Sequence, residues 1–250
     1  MSGHSKWANI KHRKGRQDAK RGKVFTSIAK EITISAREGG GDPDGNPRLR
    51  LAVQNARAVN MPSDNIKRAI LKGIGELEGV TYEEITYEGY APSGVAVIVE
   101  TATDNRKRTV AEIRALFGRM GGNLGEAGSV SWNFDRKGVI SFKTNGASEE
   151  ELLELVIESG ADDLEYDEEA SRVICPFEQL MLCTKYLMDL GKDIVQSKFE
   201  YLPKTMVNIS DVNEGKKILK FIEAVEDQED VQNIFYNLEI DDSIADQMDE

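Results

Sequence analysis

The sequence predicts an α+β protein with an N-terminal three-helix domain and two α/β domains, one of them ferredoxin-like and inserted into the other. Two observations carry this prediction. Apolar residues recur with a helical period up to about residue 73, whereas alternating, strand-like runs begin at about residue 80. A strand–helix–strand pattern then occurs twice in tandem within residues 136–203, which is typical of a ferredoxin-like sandwich.

The helical segment begins with a helix predicted from Asp18 to Glu38. Its apolar residues share one face, and its cations are expected on the other face. The apolar set is Phe25, Ile28, Ala29, Ile32 and Ala36, and the cationic set is Arg16, Lys20, Lys23, Lys30 and Arg37. Asn46-Pro47 and Pro62-Ser63 are typical helix starts, so two further helices are expected.

The strand-rich part begins with YEEITYEGY and VAVIVETA, which flank the turn-forming sequence APSG and predict a hairpin. A helix capped by Asp104 or Asn105 follows. The alternation of Val130, Trp132 and Phe134 then predicts a half-buried strand. Near the C-terminus, TMVNIS and VQNIFYNLEI predict two strands around a helix, and we expect both to complete the sheet that begins at residue 80.

These patterns divide the chain into three domains and a tail. Residues 1–78 form a basic arm and three-helix domain, and residues 79–134 with 205–240 form a discontinuous α/β domain. Residues 135–204 form the inserted ferredoxin-like domain, and residues 241–250 are an acidic tail.

Charge is distributed very unevenly along the chain. The formal net charge is −12, yet residues 1–72 contain 16 Lys and Arg against 6 Asp and Glu, which leaves −22 for the remainder. The cations are densest in SKWANIKHRKGRQDAKRGKVF, residues 5–25, where eight of them accompany a single acid, Asp18. Clustered Lys and Arg bind phosphate backbones because binding releases condensed counterions, so we predict that this arm binds nucleic acid.

Other residues of the chain bear on the predicted binding of the arm to nucleic acid. Trp7, inside the arm, would either stack on an exposed base or anchor the arm on the helical domain. The basic surface extends to Arg48, Arg50, Arg57, Lys67 and Arg68, and a smaller patch comprises Arg106, Lys107, Arg108 and Arg114. An internal alternative also exists, in which the acidic body of the same protein neutralises the arm.

Catalytic motifs are absent from the sequence: it has no phosphate-binding loop, nucleophile elbow, HExxH or CxxC. The glycine cluster at residues 121–129 follows a helix, the reverse of a dinucleotide loop, and predicts a structural turn. Glu149–Glu151 lie where a helix begins, so acids there favour the helix dipole rather than a metal. Cys175 and Cys183 are expected as buried free thiols. We therefore predict no enzymatic activity, catalytic residue, metal, cofactor or small-molecule substrate.

The sequence has no apolar run long enough for a membrane span and no secretory signal at its start. A cytoplasmic protein without membrane contact is therefore expected. A mitochondrial presequence is the alternative interpretation of the basic N-terminus.

Several motifs resemble those of the YebC family, also called the YebC/PmpR or translational activator of cytochrome oxidase family. They are SGHSKWANIKHRKGRQDAKRGK at residues 2–23, REGGGDP, NPRLRLA and NMPSDNI in the helical segment, TDNRKRTVAE at 103–112 and GGNLGEAGSVSWNFDRKG at 121–138. The resemblance runs from the second residue to near residue 240. Ser63 departs from it, because the family usually has a basic residue there.

The resemblance implies a three-domain fold and a cytoplasmic, non-enzymatic role in gene expression. It also implies nucleic-acid contacts at Lys6, Lys11, His12, Arg13, Lys14, Arg16, Lys20, Arg21 and Lys23, to which we add Trp7. Family members are described either as DNA-binding transcriptional regulators or as translation factors. Our first hypothesis is a DNA-binding transcriptional regulator; the alternatives are a translation factor bound to the ribosome, ribosomal RNA or messenger RNA, and an acidic protein–protein adaptor.

Overall fold

A computed structural model describes residues 17–241 and residue 244, with the helical backbone alone for residues 17–21. The helices in this part are α1 (Gln17–Gly39), α2 (Pro47–Ala58), α3 (Ser63–Gly73), α4 (Arg106–Arg119), α5 (Glu149–Ser159), α6 (Leu180–Asp189) and α7 (Val212–Glu226). The strands are β1 (Glu83–Tyr90), β2 (Ala96–Thr103), β3 (Asn123–Leu124), β4 (Phe134–Lys143), β5 (Asp163–Glu165), β6 (Ala170–Pro176), β7 (Ile194–Pro203), β8 (Val207–Ile209), β9 (Val231–Tyr236) and β10 (Leu238–Ile240). None of the helices described is long and apolar enough for a membrane crossing.

The described chain forms two compact units. The first unit contains Thr81–Asp135 and the chain from Tyr201 onward, and the second contains Gly22–Val80 and Arg136–Glu200. The segment Arg136–Glu200 therefore interrupts the first unit along the chain, as expected for an insertion. The boundaries of the three domains stay a prediction, because the helical segment and the inserted segment belong to one unit here.

The first unit contains a four-stranded sheet in the order β3-β1-β2-β9. The predicted hairpin pairs β1 with β2, from Glu83 opposite Thr103 to Tyr90 opposite Ala96. Strand β2 is buried along most of its length because both of its faces are covered. Helices α4 and α7 pack on the face of Val97 and Val99, where Phe117 meets Phe221 edge to face at 4.8 Å, and Val130, Phe134 and Phe235 cover Ala96 and Ile98. These aromatic and aliphatic contacts form the main core of the unit.

The strand predicted at residues 130–134 is wrong. Ser131–Asn133 form a single 3-10 turn, and β4 begins only at Phe134. In a half-buried strand, Val130 and Trp132 would lie on the same face and be buried together. In the structure Val130 is fully buried, whereas Trp132 is 67% exposed. The amides of Val130 and Ser131 donate to the carboxylate of Glu88, 42 and 43 residues earlier, so they are not available for strand pairing.

Only one of the two C-terminal strands joins the sheet as predicted. Strand β9 pairs antiparallel with β2, but β8 pairs in parallel with β10 in a separate two-stranded sheet. Asn237, between β9 and β10, explains the change. Its buried side chain accepts from the Ala96 amide at 2.7 Å and donates to the Thr205 carbonyl at 2.9 Å, which joins the chain to both sheets.

The helical segment of the second unit matches its sequence prediction. Asn46 caps α2 by accepting from the Leu49 amide at 3.1 Å, and Pro47 occupies the first turn. The predicted apolar residues of α1 pack with α2 and α3 in one core. Gly73 is required at the end of α3, since an added Cβ would lie 2.5 Å from the Thr33 carbonyl oxygen.

The inserted segment has the predicted ferredoxin-like topology. Its strands follow the order β5-β6-β4-β7, and β6 pairs antiparallel with both neighbours. Helices α5 and α6 cover the sheet and share its apolar core. Cys175 and Cys183 are both fully buried free thiols, as predicted. The hydrogen bond with Cys183, together with burial, raises the pKa of the Cys175 thiol.

Helix α2 also contacts the inserted segment. Leu51 lies in the core of the inserted segment. Asn55 donates from Nδ2 to the Ser197 carbonyl at 2.8 Å and accepts from the Ser197 amide at 3.0 Å. One amide side chain of a helix thus forms a paired hydrogen bond with the backbone of β7.

Candidate nucleic-acid interface

The predicted interface begins in the basic arm. Lys6, Trp7, Lys11, His12, Arg13, Lys14 and Arg16 lie outside the described residues. Lys20, Arg21 and Lys23 fall within the first two turns of α1, so the basic run continues directly into the helical segment. Lys23 is half-buried and already engaged in a contact. The geometry of the arm stays a prediction, and its continuation on α1, α2 and α3 is what the structure describes.

Helix α1 does not present the continuous cationic face that its sequence predicts. Lys30 is only 6% exposed, so its predicted place on a solvent face is wrong. Thr33 and Ser35 are also buried, because the helix is covered on more than one side in this region. The Thr33 hydroxyl donates to the Ala69 carbonyl of α3 at 3.2 Å. Arg37, in the last turn, is exposed.

Two arginines expected on the basic surface are held by the protein itself. Arg48 binds both carboxylate oxygens of Glu31, at 2.8 and 3.0 Å, and Glu38 at 2.7 Å. Arg50 donates to the carbonyls of Pro43 and Asp44 at 2.9 and 2.6 Å. The prediction that Arg48 offers a free charge is therefore wrong, and Arg50 stabilises the loop before α2.

The remaining cations of these helices are open to solvent. Arg57 on α2 and Lys67 and Arg68 on α3 are exposed, and no carboxylate in the described part of the chain forms an ion pair with them. Ile66 and Ala69 of α3 are buried in the helical core. The exposed cations of α3 therefore lie next to core residues, and the packing of these core residues fixes the backbone that carries the cations.

The smaller basic patch lies at the start of α4, in the first unit. Asn105 caps the helix by accepting from the Arg108 amide at 3.1 Å. The Arg108 guanidinium donates to Asp104 and to Asp230, each at 2.9 Å. The prediction that Arg108 adds free charge is therefore wrong, because two carboxylates of this chain neutralise it.

Asp230 is a buried carboxylate that sequence reasoning missed. It is 3% exposed and also accepts from the Thr109 hydroxyl at 2.7 Å, and Thr109 is itself hydrogen-bonded to Thr103 at 2.7 Å. The preceding chain offers no local signal for this role, since Asp230 lies 122 residues from Arg108. Its effect is to fix the first turn of α4 to the end of β2.

The other cations of α4 are Arg106, Lys107, Arg114 and Arg119. All four are exposed, and none of the carboxylates described in the structure forms an ion pair with them. Glu112, the single acid of the helix, accepts a hydrogen bond from Gln228 at 2.8 Å. Helix α4 is therefore a strongly cationic element within the acidic part of the sequence.

The glycine cluster before β4 is organised around Glu88, a second buried carboxylate that the sequence did not reveal. Its oxygens accept from the amides of Gly128, Val130 and Ser131, each at 2.8 Å. Burial would raise the pKa of Glu88, but these backbone hydrogen bonds outweigh it and lower the pKa below its ordinary value. The amides that a phosphate loop would offer to its ligand are thus bound to a carboxylate, which supports a structural turn.

Trp132 is presented by this turn. Its ring is 67% exposed, and Nε1 donates to the Ser129 carbonyl at 3.0 Å. The adjacent Lys204 donates to the Trp132 carbonyl at 3.2 Å and pairs with Asp135 at 3.1 Å. The indole is therefore oriented by a hydrogen bond and largely open to solvent.

The acids at the start of α5 have a local structural role. Ser148 and Glu151 form a reciprocal capping box, in which each side chain accepts from the backbone amide of the other. Among the residues that the structure describes, no three His, Cys, Asp or Glu side chains cluster as a metal site.

Comparison with known proteins identifies the family. Residues 5–76 match the model of the TACO1/YebC protein N-terminal domain, and residues 82–238 match that of the TACO1/YebC second and third domain. The chain belongs to the TACO1/YebC family. The two family matches divide the chain at residues 77–81, where the structure passes from the helical segment to β1.

Several relatives match this chain over nearly its full length. A protein from Chloroherpeton thalassium is 52% identical over 99% of both chains, and one from Chlorobaculum tepidum is 51% identical over 100% of both. Each is named a probable transcriptional regulatory protein. The crystal structure of a conserved hypothetical protein from Aquifex aeolicus is similar with a TM-score of 0.88 and 46% identity, covering 94% of this chain and 97% of the other.

Proposed function

We propose that this TACO1/YebC family member is a non-enzymatic, DNA-binding regulator of transcription that contacts phosphates through its basic N-terminal arm. The observation that carries the proposal is the charge asymmetry: residues 1–72 have 16 cations and 6 acids, whereas the formal charge of the whole chain is −12. A cationic end favours a polyanion, and an acidic body is repelled from it. The names of the full-length relatives add support, since they describe probable transcriptional regulators.

The exposed cations of the described helices support contact with the phosphates of a nucleic acid, rather than base recognition by a dedicated helix. Arg57, Lys67 and Arg68 continue the positive surface beyond the arm, whereas Arg48 is neutralised by two glutamates. Phosphate contacts position a protein on nucleic acid without reading its sequence. We therefore expect strong salt dependence and modest sequence preference.

Binding is tested with a variant of the arm, Lys11→Ala/Arg13→Ala/Lys14→Ala/Arg16→Ala, and a duplex DNA probe. Each lost phosphate contact lowers the slope of log K against log salt concentration by about 0.9, so up to four contacts lower it by about 3.6. The matched control, Lys185→Ala/Lys216→Ala/Lys217→Ala/Lys220→Ala, removes the same total charge elsewhere. Equal slopes for the arm variant and the wild type would exclude the arm from the interface.

Crosslinking in living cells, followed by sequencing of the recovered DNA and RNA, tests the physiological target. Enrichment of chromosomal DNA supports the transcriptional role. Recovery of mainly ribosomal or messenger RNA would overturn it in favour of a translation factor that uses the same cations. Recovery of neither would favour a protein–protein adaptor.

A further inference from the structure

We infer that the outer face of α4 is a second contact surface for the phosphodiester backbone of a nucleic acid, carried by the first unit and separate in sequence from the arm. This inference deepens the proposed function and rests on it. The surface consists of Lys107, Ala111, Arg114 and Gly118, with Arg106 at the start of the helix and Arg119 at its end.

The residues of this surface are regularly spaced along the helix. Lys107, Ala111, Arg114 and Gly118 recur at i, i+4, i+7 and i+11, which places them along one side of the helix. This side is turned away from Ile113 and Phe117, both fully buried in the core. Lys107 and Arg114 are about 10 Å apart along the axis, at 1.5 Å per residue.

The surface is accessible to a ligand. Ala111 is exposed between Lys107 and Arg114, and Ala115 and Gly118 are exposed between Arg114 and Arg119; a Cβ added to Gly118 would meet nothing within 4 Å. Small side chains allow a ligand backbone to come close to the helix, so that both long cationic side chains reach phosphate oxygens from either end of the gap.

The charges in the first turn of α4 are electrostatically unfavourable. Helix N-termini carry a partial positive charge, which repels cations in the first turn. The first turn of α4 contains Arg106, Lys107 and Arg108 and no acid. Asp104 and Asp230 compensate Arg108 alone. Arg106 and Lys107 therefore add to a positive potential that an external anion neutralises.

The first turn of α4 is held in place by buried hydrogen bonds. The hydrogen bonds among Thr103, Thr109 and Asp230 tie the first turn of α4 to the sheet, and all three residues are at most 3% exposed. The backbone that carries the cations is thus fixed before a ligand binds, so that only the side chains of Lys107 and Arg114 lose freedom on binding.

The test compares the full-length variant Lys107→Ala/Arg114→Ala with the wild type on two probes, a 20-base-pair DNA duplex and a 20-nucleotide RNA of the same sequence. Loss of two contacts is expected to lower the salt slope by about 1.8 on the duplex and about 1.4 on the single strand. At 0.15 M salt the duplex affinity falls roughly 30-fold if the lost contacts are purely electrostatic. Lys217→Ala/Lys220→Ala on α7 removes two exposed cations of the same unit and serves as the control.

The outcomes separate this inference from the proposed function. A reduced slope for the α4 variant, with the control unchanged, supports the α4 surface, and a loss on one probe with the wild-type slope kept on the other identifies duplex DNA or single-stranded RNA as its ligand. If the arm variant loses affinity but the α4 variant keeps the wild-type slope on both probes, the α4 surface is overturned and the proposed function stands. If the wild type binds neither probe, both fall. Unchanged thermal unfolding of the α4 variant, which places Ala at exposed helical positions, excludes misfolding as the cause of a loss.

Discussion

Helices α4 and α5 both cover a four-stranded antiparallel sheet, yet their charges are opposite. Helix α4 contains five cations and one acid, whereas α5 contains five glutamates and no cation. Three of the glutamates of α5 lie in its first turn, where the helix dipole favours acids. The cations of α4 oppose the dipole in the same position. Acids at a helix N-terminus are explained by the dipole of the helix itself. Cations at the same position oppose the dipole, which points to an anionic partner outside the helix.

The two helices also begin differently. Ser148 and Glu151 close the start of α5 with residues from the helix itself. The start of α4 depends in addition on Asp230, which comes from the chain before β9. Helix α5 is therefore locally determined, and α4 depends on a long-range contact.

The largest expected effect follows from removing that long-range contact. Asp230→Ala removes the buried carboxylate that accepts from Arg108 and from the buried Thr109 hydroxyl, so we expect the free energy of unfolding to fall by about 3 kcal/mol. The matched control is Asp104→Ala, whose side chain is 38% exposed and should cost less than about 1 kcal/mol. Urea denaturation measures both, and equal costs for the two variants would contradict a special role of Asp230.

A similar loss is expected for the other buried carboxylate of the first unit, with a dependence on pH. Glu88→Gln weakens three charge-assisted hydrogen bonds and should cost about 2 kcal/mol at neutral pH. Because the pKa of Glu88 is lowered on folding, this stability is present above its ordinary value of 4.5 and is lost as pH falls through the lower folded value.

Urea titrations of the Glu88→Gln variant and the wild type between pH 3 and pH 7 measure this difference. Glu83→Gln on the same strand, at an exposed position, is the control and should show little difference at any pH. A cost that stays constant down to pH 3 would show that the charge of Glu88 does not hold the turn.

Helix α5 should respond to a change in its own cap. Ser148→Ala removes one half of the capping box and should lower the free energy of unfolding by about 1 kcal/mol. Glu154→Ala, at an exposed position in the middle of the same helix, should change it by less than about 0.5 kcal/mol. An equal effect of the two substitutions in thermal or urea unfolding would argue against a locally determined start.

The smallest expected change in stability comes from reversing a charge in the first turn of α4. Lys107→Glu places an acid where the dipole favours it, so we expect α4 to gain about 0.5 kcal/mol of stability. The same change should weaken nucleic-acid binding, because it reverses one charge of the proposed surface. Lys217→Glu, in the middle of α7, is the control for stability. A Lys107→Glu variant that is less stable than the wild type would contradict the dipole argument.

Much of the fold could be predicted because its signals are local. Asn46, Asn105, Ser148 and Asp211 all cap helices in the structure, and each stands directly before the first helical residue. The tandem strand–helix–strand pattern likewise led to the correct prediction of a ferredoxin-like unit in the inserted segment, because the pattern lies within one continuous stretch of sequence.

The wrong predictions share a physical cause, which is a partner distant in sequence. The turn at residues 130–133 depends on Glu88, and the separation of β8 from the main sheet depends on the buried amide of Asn237. For the interface, cation density correctly indicated exposed charge at Arg57 and Lys67 but not the neutralisation of Arg48 by Glu31, 17 residues away. Composition shows how many charges a segment has, and only the fold shows which of them are already paired.

The contact between Asn55 and Ser197 has a consequence for solubility. Strand β7 is outermost in its sheet, and an outermost strand exposes backbone groups that can recruit a strand of another molecule and start aggregation. Asn55 occupies both hydrogen-bonding groups of Ser197 at this edge. A fragment consisting of residues 136–200 alone would have an open edge here, so the helical segment also guards its neighbour against self-association.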